Sequence, residues 1–259
     1  MATQRAVLAA LFAGALAAFT GAAHAAPLPP GTVVFTNGVT VSDSVQDPVA
    51  RPYLGGAVLN DNLLDFTYDP TPSIPLNNVG GRLQNRVVDN GSDLIFMTRI
   101  RDTFNIDGGT FSILGMTIEG YGNVDLDVDF RLDGLGDKGF SSASRSADGD
   151  RLTLRYEDRI FVDAFTPPGR QQTSYFPALL TNASAYDFSG TATIFGEILP
   201  LGATDSSASV QSNIFSFQID GIAVPRADVP APASLALLVG SVAALGLRRR
   251  LSRNNARTS

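Results

Sequence analysis

The sequence contains no cysteine and no tryptophan, and its single histidine, His24, lies near the start. Without thiols there is no disulfide to staple the fold, no cysteine-based zinc site and no iron–sulfur cluster. His24 falls in a stretch that reads as a removable leader, so the mature chain has no imidazole either. Ser-His-Asp and Cys-His nucleophilic sites need a base that titrates near neutrality, and neither can be assembled. Lys138 is the one lysine, a single candidate for Schiff-base chemistry. No G-x-x-x-x-G-K-[ST] loop occurs, and no G-x-G-x-x-G opens a helix, so nucleotide binding has no support. Stability must come from a buried core, which about 200 residues between the two ends are enough to build.

The leader has three parts. Arg5 is an early cation, Ala6 to Phe19 is rich in Ala, Leu and Phe, and Ala23-His24-Ala25 is a small-x-small sequence. This layout is that of a secretory signal peptide, with Ala23 and Ala25 forming the cleavage motif. As an uncleaved anchor the apolar run would be short for a membrane span. Residues 1–25 are therefore expected to be removed on export.

Charge is unevenly spread. All 25 acidic residues lie in 26–229, which holds 13 of the 19 basic ones, a net charge of −12. Such a segment is repelled by nucleic acid and by anionic membrane surfaces. Along 27–225 the hydrophobic pattern has period two. Residues 32–41, 93–100, 110–118, 123–132, 151–162, 190–199 and 212–224 alternate, or are rich in β-branched and aromatic residues. Between them stand "DPTPS", "DNGSD", "IDGG", "ADGD" and "TPPG", which are turn signals. No internal window keeps a helical period. The expected fold is all-β, a single antiparallel β-sandwich over 26–222, jelly-roll-like or related. Residues 223–232, "AVPRADVPAP", read as an extended Pro-rich linker.

Beyond the linker the composition inverts. Ala233 to Leu247 carries no charge and is followed by Arg248, Arg249 and Arg250. As a helix this run would rise about 22 Å against a hydrocarbon core of about 30 Å, a marginal span with its arginines at the cytoplasmic headgroups. A plain C-terminal anchor fits that much. The full layout of 229–253 resembles the PEP-CTERM sorting signal: Val229, Pro230, Pro232 and Ala233, then the apolar run, then the arginine cluster. Ala231 stands where the namesake motif has Glu. The resemblance implies an exported protein of a Gram-negative bacterium. A membrane-embedded exosortase would process its tail after transient membrane insertion and deliver it to the cell surface or biofilm matrix. The segments "YFPALLTNASAYDFSGTATIFG" and "FSFQIDGIAVP" also resemble domains that accompany this signal, which implies an extracellular β-domain and no activity.

Among candidate chemical residues, "DLDVDFRLDGLGDKG" stands out. Asp125, Asp127 and Asp129 begin like a calcium loop, but Phe130 occupies the position of the required glycine and Gly136 that of the bidentate Glu. Alternate strand residues lie about 6.6 Å apart, so the first and third carboxylates cannot share an ion. Asp133 and Asp137 are the better-placed calcium candidates; a solvated or arginine-paired strand face is the other reading. Glycoside hydrolysis is the enzyme class that survives without histidine, with Glu119, Glu157 and Glu197 as candidate carboxylates, although no motif selects a pair. Asn90 and Asn182 fit the N-glycosylation pattern by chance in a bacterial setting.

The expected protein is a non-enzymatic matrix protein with a structural or exopolysaccharide-associated role and no cofactor beyond the calcium candidate. A matrix-acting glycoside hydrolase is the alternative. One pairing is also expected. Val124, Leu126, Val128 and Phe130 alternate with aspartates, while Leu152, Leu154 and Tyr156 alternate with Arg151 and Arg155. A hairpin joining the two runs would set Asp129 opposite Arg155.

Overall fold

The computed structural model describes residues 25–35, 52–68, 79–105, 109–131, 136–163, 170–200 and 213–226. All fall in a compact unit that ends at Arg226; residues 227–259 form a second unit outside the described residues. The expected leader up to His24, the sorting motif and Asp133 likewise lie outside them.

The described residues form twelve strands: β1 (Ala26–Pro27), β2 (Val33–Phe35), β3 (Ala57–Tyr68), β4 (Val79–Asp89), β5 (Leu94–Asn105), β6 (Gly109–Glu119), β7 (Leu126–Arg131), β8 (Ser142–Arg145), β9 (Arg151–Asp163), β10 (Phe176–Thr181), β11 (Ala185–Pro200) and β12 (Asn213–Arg226). They make two six-stranded antiparallel sheets, ordered β1-β7-β10-β5-β4-β3 (sheet A) and β12-β11-β6-β9-β8-β2 (sheet B). A 3-10 turn at Pro52–Leu54 is the helical element among the described residues. Each of the seven period-two stretches contains one strand, and the five turn signals fall between strands, with Asp89 and Gly109 already the end residues of β4 and β6.

Alternation decides what faces inward. Leu83 and Val87 on β4, Phe96 and Ile100 on β5, and Leu126, Val128 and Phe130 on β7 meet Phe111, Met116 and Ile118 of β6 in one core. Leu152 and Leu154 of β9 and Ile194 of β11 close it from sheet B. The fold is thus sandwich-like. A second, smaller core lies on the other face of sheet A, where Val88, Ile95, Met97, Phe176, Ala178 and Leu180 pack with Leu54, Tyr53 and Ala25. Sheet A is therefore buried on both sides along β10, which is buried at all six positions.

Two expectations are corrected. The runs 123–132 and 151–157 are not hairpin partners: β7 pairs with β1 and β10 in sheet A, whereas β9 pairs with β6 and β8 in sheet B. Their apolar sets do share a core, but they enter it from opposite sheets. Asp129 stands opposite Ala178, and Arg155 opposite Gly115 and Ser142. The Gly/Ser-rich joining segment supplies a strand of its own, β8, which forms the true hairpin with β9. The linker also begins later than expected. Ala223–Arg226 continue β12, with Val224 beside Asp187 and Arg226 beside Ala185, because Pro225 sits on an edge strand that tolerates a missing N–H.

Candidate functional site

β3 and β12 are the outer strands of their sheets on the same side of the fold, and both are long. A buried amide fixes their relative placement. Asn85 on β4 is fully buried. Its Nδ2 donates to the Gly221 carbonyl at 3.3 Å, and its Oδ1 accepts from Ala223 N at 3.2 Å and from Thr98 Oγ1 at 3.3 Å. Asn85 thus serves β12 as a short piece of partner strand. Those backbone groups are free because β12 bulges: Asp220 pairs with Thr191 and Ile222 with Gly190, skipping Gly221. Gly221 has φ +84°, a conformation that suits glycine.

Aromatic rings fill the space between the two strands. Phe66 lies 5.3 Å from Phe217, Tyr68 stacks on Phe217 at 5.4 Å, and Phe215 stacks on Phe217 at 6.1 Å. Above them runs an open groove of about 370 Å³ lined by residues 64–67 of β3 and 217–220 of β12. Asp65, Thr67, Gln218 and Asp220 are exposed along its rim, while Phe66 and Ile219 are buried in its floor and Phe217 is half-buried. Gln218 Nε2 donates to Asp220 Oδ1 at 3.1 Å, which orients that carboxylate. Chemically this is a strip of hydrogen-bond acceptors and amide donors over phenyl faces. A hydroxyl-rich chain can satisfy the rim and lay its C–H faces on the rings.

The residues singled out from sequence lie elsewhere. Glu119 is ion-paired with Arg151 at 2.7 Å, and Glu197 with Arg159 at 2.7 Å. Glu197 stands opposite Ser112, seven residues along β6 from Glu119. The two carboxylates are therefore about 23 Å apart at roughly 3.3 Å per residue, too far for an acid–nucleophile pair. Glu157 lies on β9, its side chain outside the described residues. Asp137 is used as a clamp: its Oδ2 accepts from Thr173 N at 2.7 Å and Thr173 Oγ1 at 3.1 Å. Among the described residues no group of three or more His, Cys, Asp or Glu is gathered for a metal ion. Asp127 is pushed above the usual carboxylate range by burial and then by the carboxylates of Asp93 and Asp125. Lys138 lies 3.6 Å from Asp158.

The groove is not legible in the sequence. Its β12 half, "FSFQIDG", has the period of a strand, but "LDFT" on β3 lies in no such run, and no local signal tells which two strands become edges on the same side. Compared with protein-family models, with curated proteins and with solved structures, the chain matches none.

Proposed function

We propose that this is an exported, exosortase-sorted protein of the cell surface or biofilm matrix, with a structural, exopolysaccharide-associated role. The observation that carries the reading is the three-part C-terminus, Val229 to Arg250, set against a signal peptide at the other end. In this reading residues 1–25 are a cleaved signal peptide, 233–247 form a short membrane helix, and the domain between them is a jelly-roll-like sandwich. The groove between β3 and β12 is the surface we assign to polysaccharide, because exposed acceptors above half-buried rings suit a hydroxylated chain. Asp65 and Asp220 in that groove favour one second reading, a matrix-acting hydrolase using two carboxylates.

Secreted material from a culture separates these outcomes. Mass spectrometry is expected to find no peptide containing Arg248–Arg250, and cells lacking exosortase should retain the protein with its tail intact. Secreted protein ending at Ser259 would overturn the sorting reading. The secreted protein should be retarded by the organism's own exopolysaccharide in an affinity gel, and Phe217→Ala together with Asp220→Asn should abolish the retardation. Release of reducing sugar that depends on Asp65 and Asp220 would transfer the groove to the hydrolase reading; no retardation at all would remove it from both.

A further inference from the structure

The aspartates on β7 and just before it have no part in the groove. Asp125 is held by Asn182, whose Oδ1 accepts from Asp125 N at 3.0 Å and whose Nδ2 donates to Asp125 Oδ2 at 2.9 Å. Asp129 is buried, 8% exposed, and accepts from the Tyr53 hydroxyl and from Phe130 N. β1 lies along this row, with Ala26 beside Val128 and Pro27 beside Asp127. Leu28, fully buried, continues the pairing by donating its N–H to Leu126 O at 2.8 Å. Carrying the register back one residue sets Ala25 beside Asp129. Packing agrees, since Ala25 and Tyr53 lean on the same small core and Tyr53 is the residue bonded to Asp129. Ala25 is also the last residue of the small-x-small sequence that ends the leader.

We infer that cleavage between Ala25 and Ala26 creates an α-ammonium that pairs with the Asp129 carboxylate, so that removal of the leader completes the β1–β7 edge of sheet A. The inference rests on the signal-peptide part of the proposed function. Hydrolysis of the Ala25–Ala26 peptide bond consumes one water. The new carboxylate leaves with the leader on Ala25, and the nitrogen of Ala26 becomes an amine, protonated at neutral pH because α-amines titrate near about 7.7–8.0. Before the cut the same nitrogen is a neutral amide with one hydrogen; afterwards it carries three and a charge. The row it meets is electronegative: besides burial, the Asp93 and Asp125 carboxylates act on Asp127 to disfavour its charge. A cation delivered there offsets that repulsion as well as pairing with Asp129. Burial under Tyr53 leaves such a pair less screened than one on the open surface. A two-residue strand gains little from its ladder alone, so an ionic anchor at its first residue has a clear use.

The test compares a chain of residues 26–259, released from a cleavable fusion so that it begins at Ala26, with the same chain carrying one extra glycine before Ala26. The extra residue moves the ammonium about 3.3 Å along the strand without altering any residue of the fold. The Ala26 chain is expected to melt about 2–4 °C higher, and Asp129→Asn is expected to erase that difference. Equal melting of the two Asp129 chains would overturn the pairing. A difference that persists in Asp129→Asn would do the same. Should the Asp129→Asn chain fail to fold, the glycine-extended comparison decides alone. Terminal mass spectrometry of the exported protein reads the cut separately. A first residue other than Ala26 would overturn the processing site, and with it this inference, whatever the melting temperatures.

Discussion

Arg145 is buried, 4% exposed, and spends its guanidinium on backbone carbonyls. Nε donates to Gly149 O at 2.8 Å, Nη1 to Leu28 O at 3.3 Å, and Nη2 to Tyr121 O at 2.7 Å and Val124 O at 2.9 Å. One side chain on β8 therefore ties together the segment after β1, the turn before β7 and the turn before β9. Burial lowers its pKa, Asp125 opposes that, and a guanidinium keeps its charge throughout. Replacing it by methionine keeps an apolar stem of similar length and removes every donor. Each carbonyl left dry costs about 1–3 kcal/mol, but costs within one network are not additive, so the four do not sum. Breaking a buried charged network typically costs about 3–5 kcal/mol, and that is the loss expected for Arg145→Met. For a domain of this size the melting temperature should fall by roughly 6–20 °C. Circular dichroism, followed by heat and by urea, reads both quantities. Arg145→Lys should fall in between, since it keeps the charge but offers its donors from one atom instead of a fork. A methionine variant melting within about 2 °C of the parent would refute the reasoning.

Two further outcomes follow from single contacts. Tyr121 is fully buried, and its hydroxyl, pushed up in pKa by burial, has no hydrogen-bond partner among the described residues. Tyr121→Phe should therefore be neutral or stabilising by up to about 2 kcal/mol in urea unfolding, and a clear destabilisation would show that the hydroxyl is satisfied after all. Asp163 ends β9 and accepts from Thr110 Oγ1 at 2.6 Å and from Arg170 Nε at 2.7 Å and Nη2 at 3.2 Å. Burial pushes its carboxyl up, but the Arg170 and Thr110 hydrogen bonds outweigh this and hold its pKa below the ordinary value of an aspartate. A depressed carboxyl contributes stability that is complete above its unfolded pKa and is lost as pH falls through the folded value. Asp163→Asn should thus lose about 1–3 kcal/mol at pH 7, with the gap to the parent closing below about pH 4; a gap independent of pH would contradict the assignment.

How far the fold could be read in advance depended partly on whether a strand has one wet face. β7, β9, β11 and β12 alternate because one side meets the core and the other is at least partly open, and all four are legible; β5 and β6, with no exposed position over 94–100 and 110–119, are legible instead from their β-branched and aromatic residues. β10, "FPALLT", was not recognised as a strand. It is buried on both faces by the second core, so it shows an apolar run with no period. β4 hides its alternation differently. Arg82, Gln84 and Arg86 face away from the main core, but "GG" at its start reads as a loop. Gly81 is required there, since a side chain would strike the Phe66 ring at 2.8 Å. The supposed hairpin of 124–132 with 151–157 failed for a related reason. Matching apolar periods say that two strands share a core, and charges say that their other faces are wet, but neither says whether the strands lie side by side or across from one another. The groove was illegible for the same cause, being a product of sheet order.

The double burial of sheet A also sets how this protein would come apart. β10 lies between β7 and β5 and is covered on both sides, so its amides should be among the last to exchange with solvent. At the far edge β3 pairs, among the described residues, with β4 alone and leaves Val58, Leu59 and Leu63 exposed. Opening from that edge uncovers Leu64, Phe66 and Tyr68 of one core, whereas opening at β10 means dismantling two cores together. The molecule is graded, yielding at the β3 rim and rigid at its centre, and the rim that yields is the one that borders the groove. A chain lying in the groove would brace the weakest strand of the domain, and its arrival should register first as slower exchange along residues 57–68.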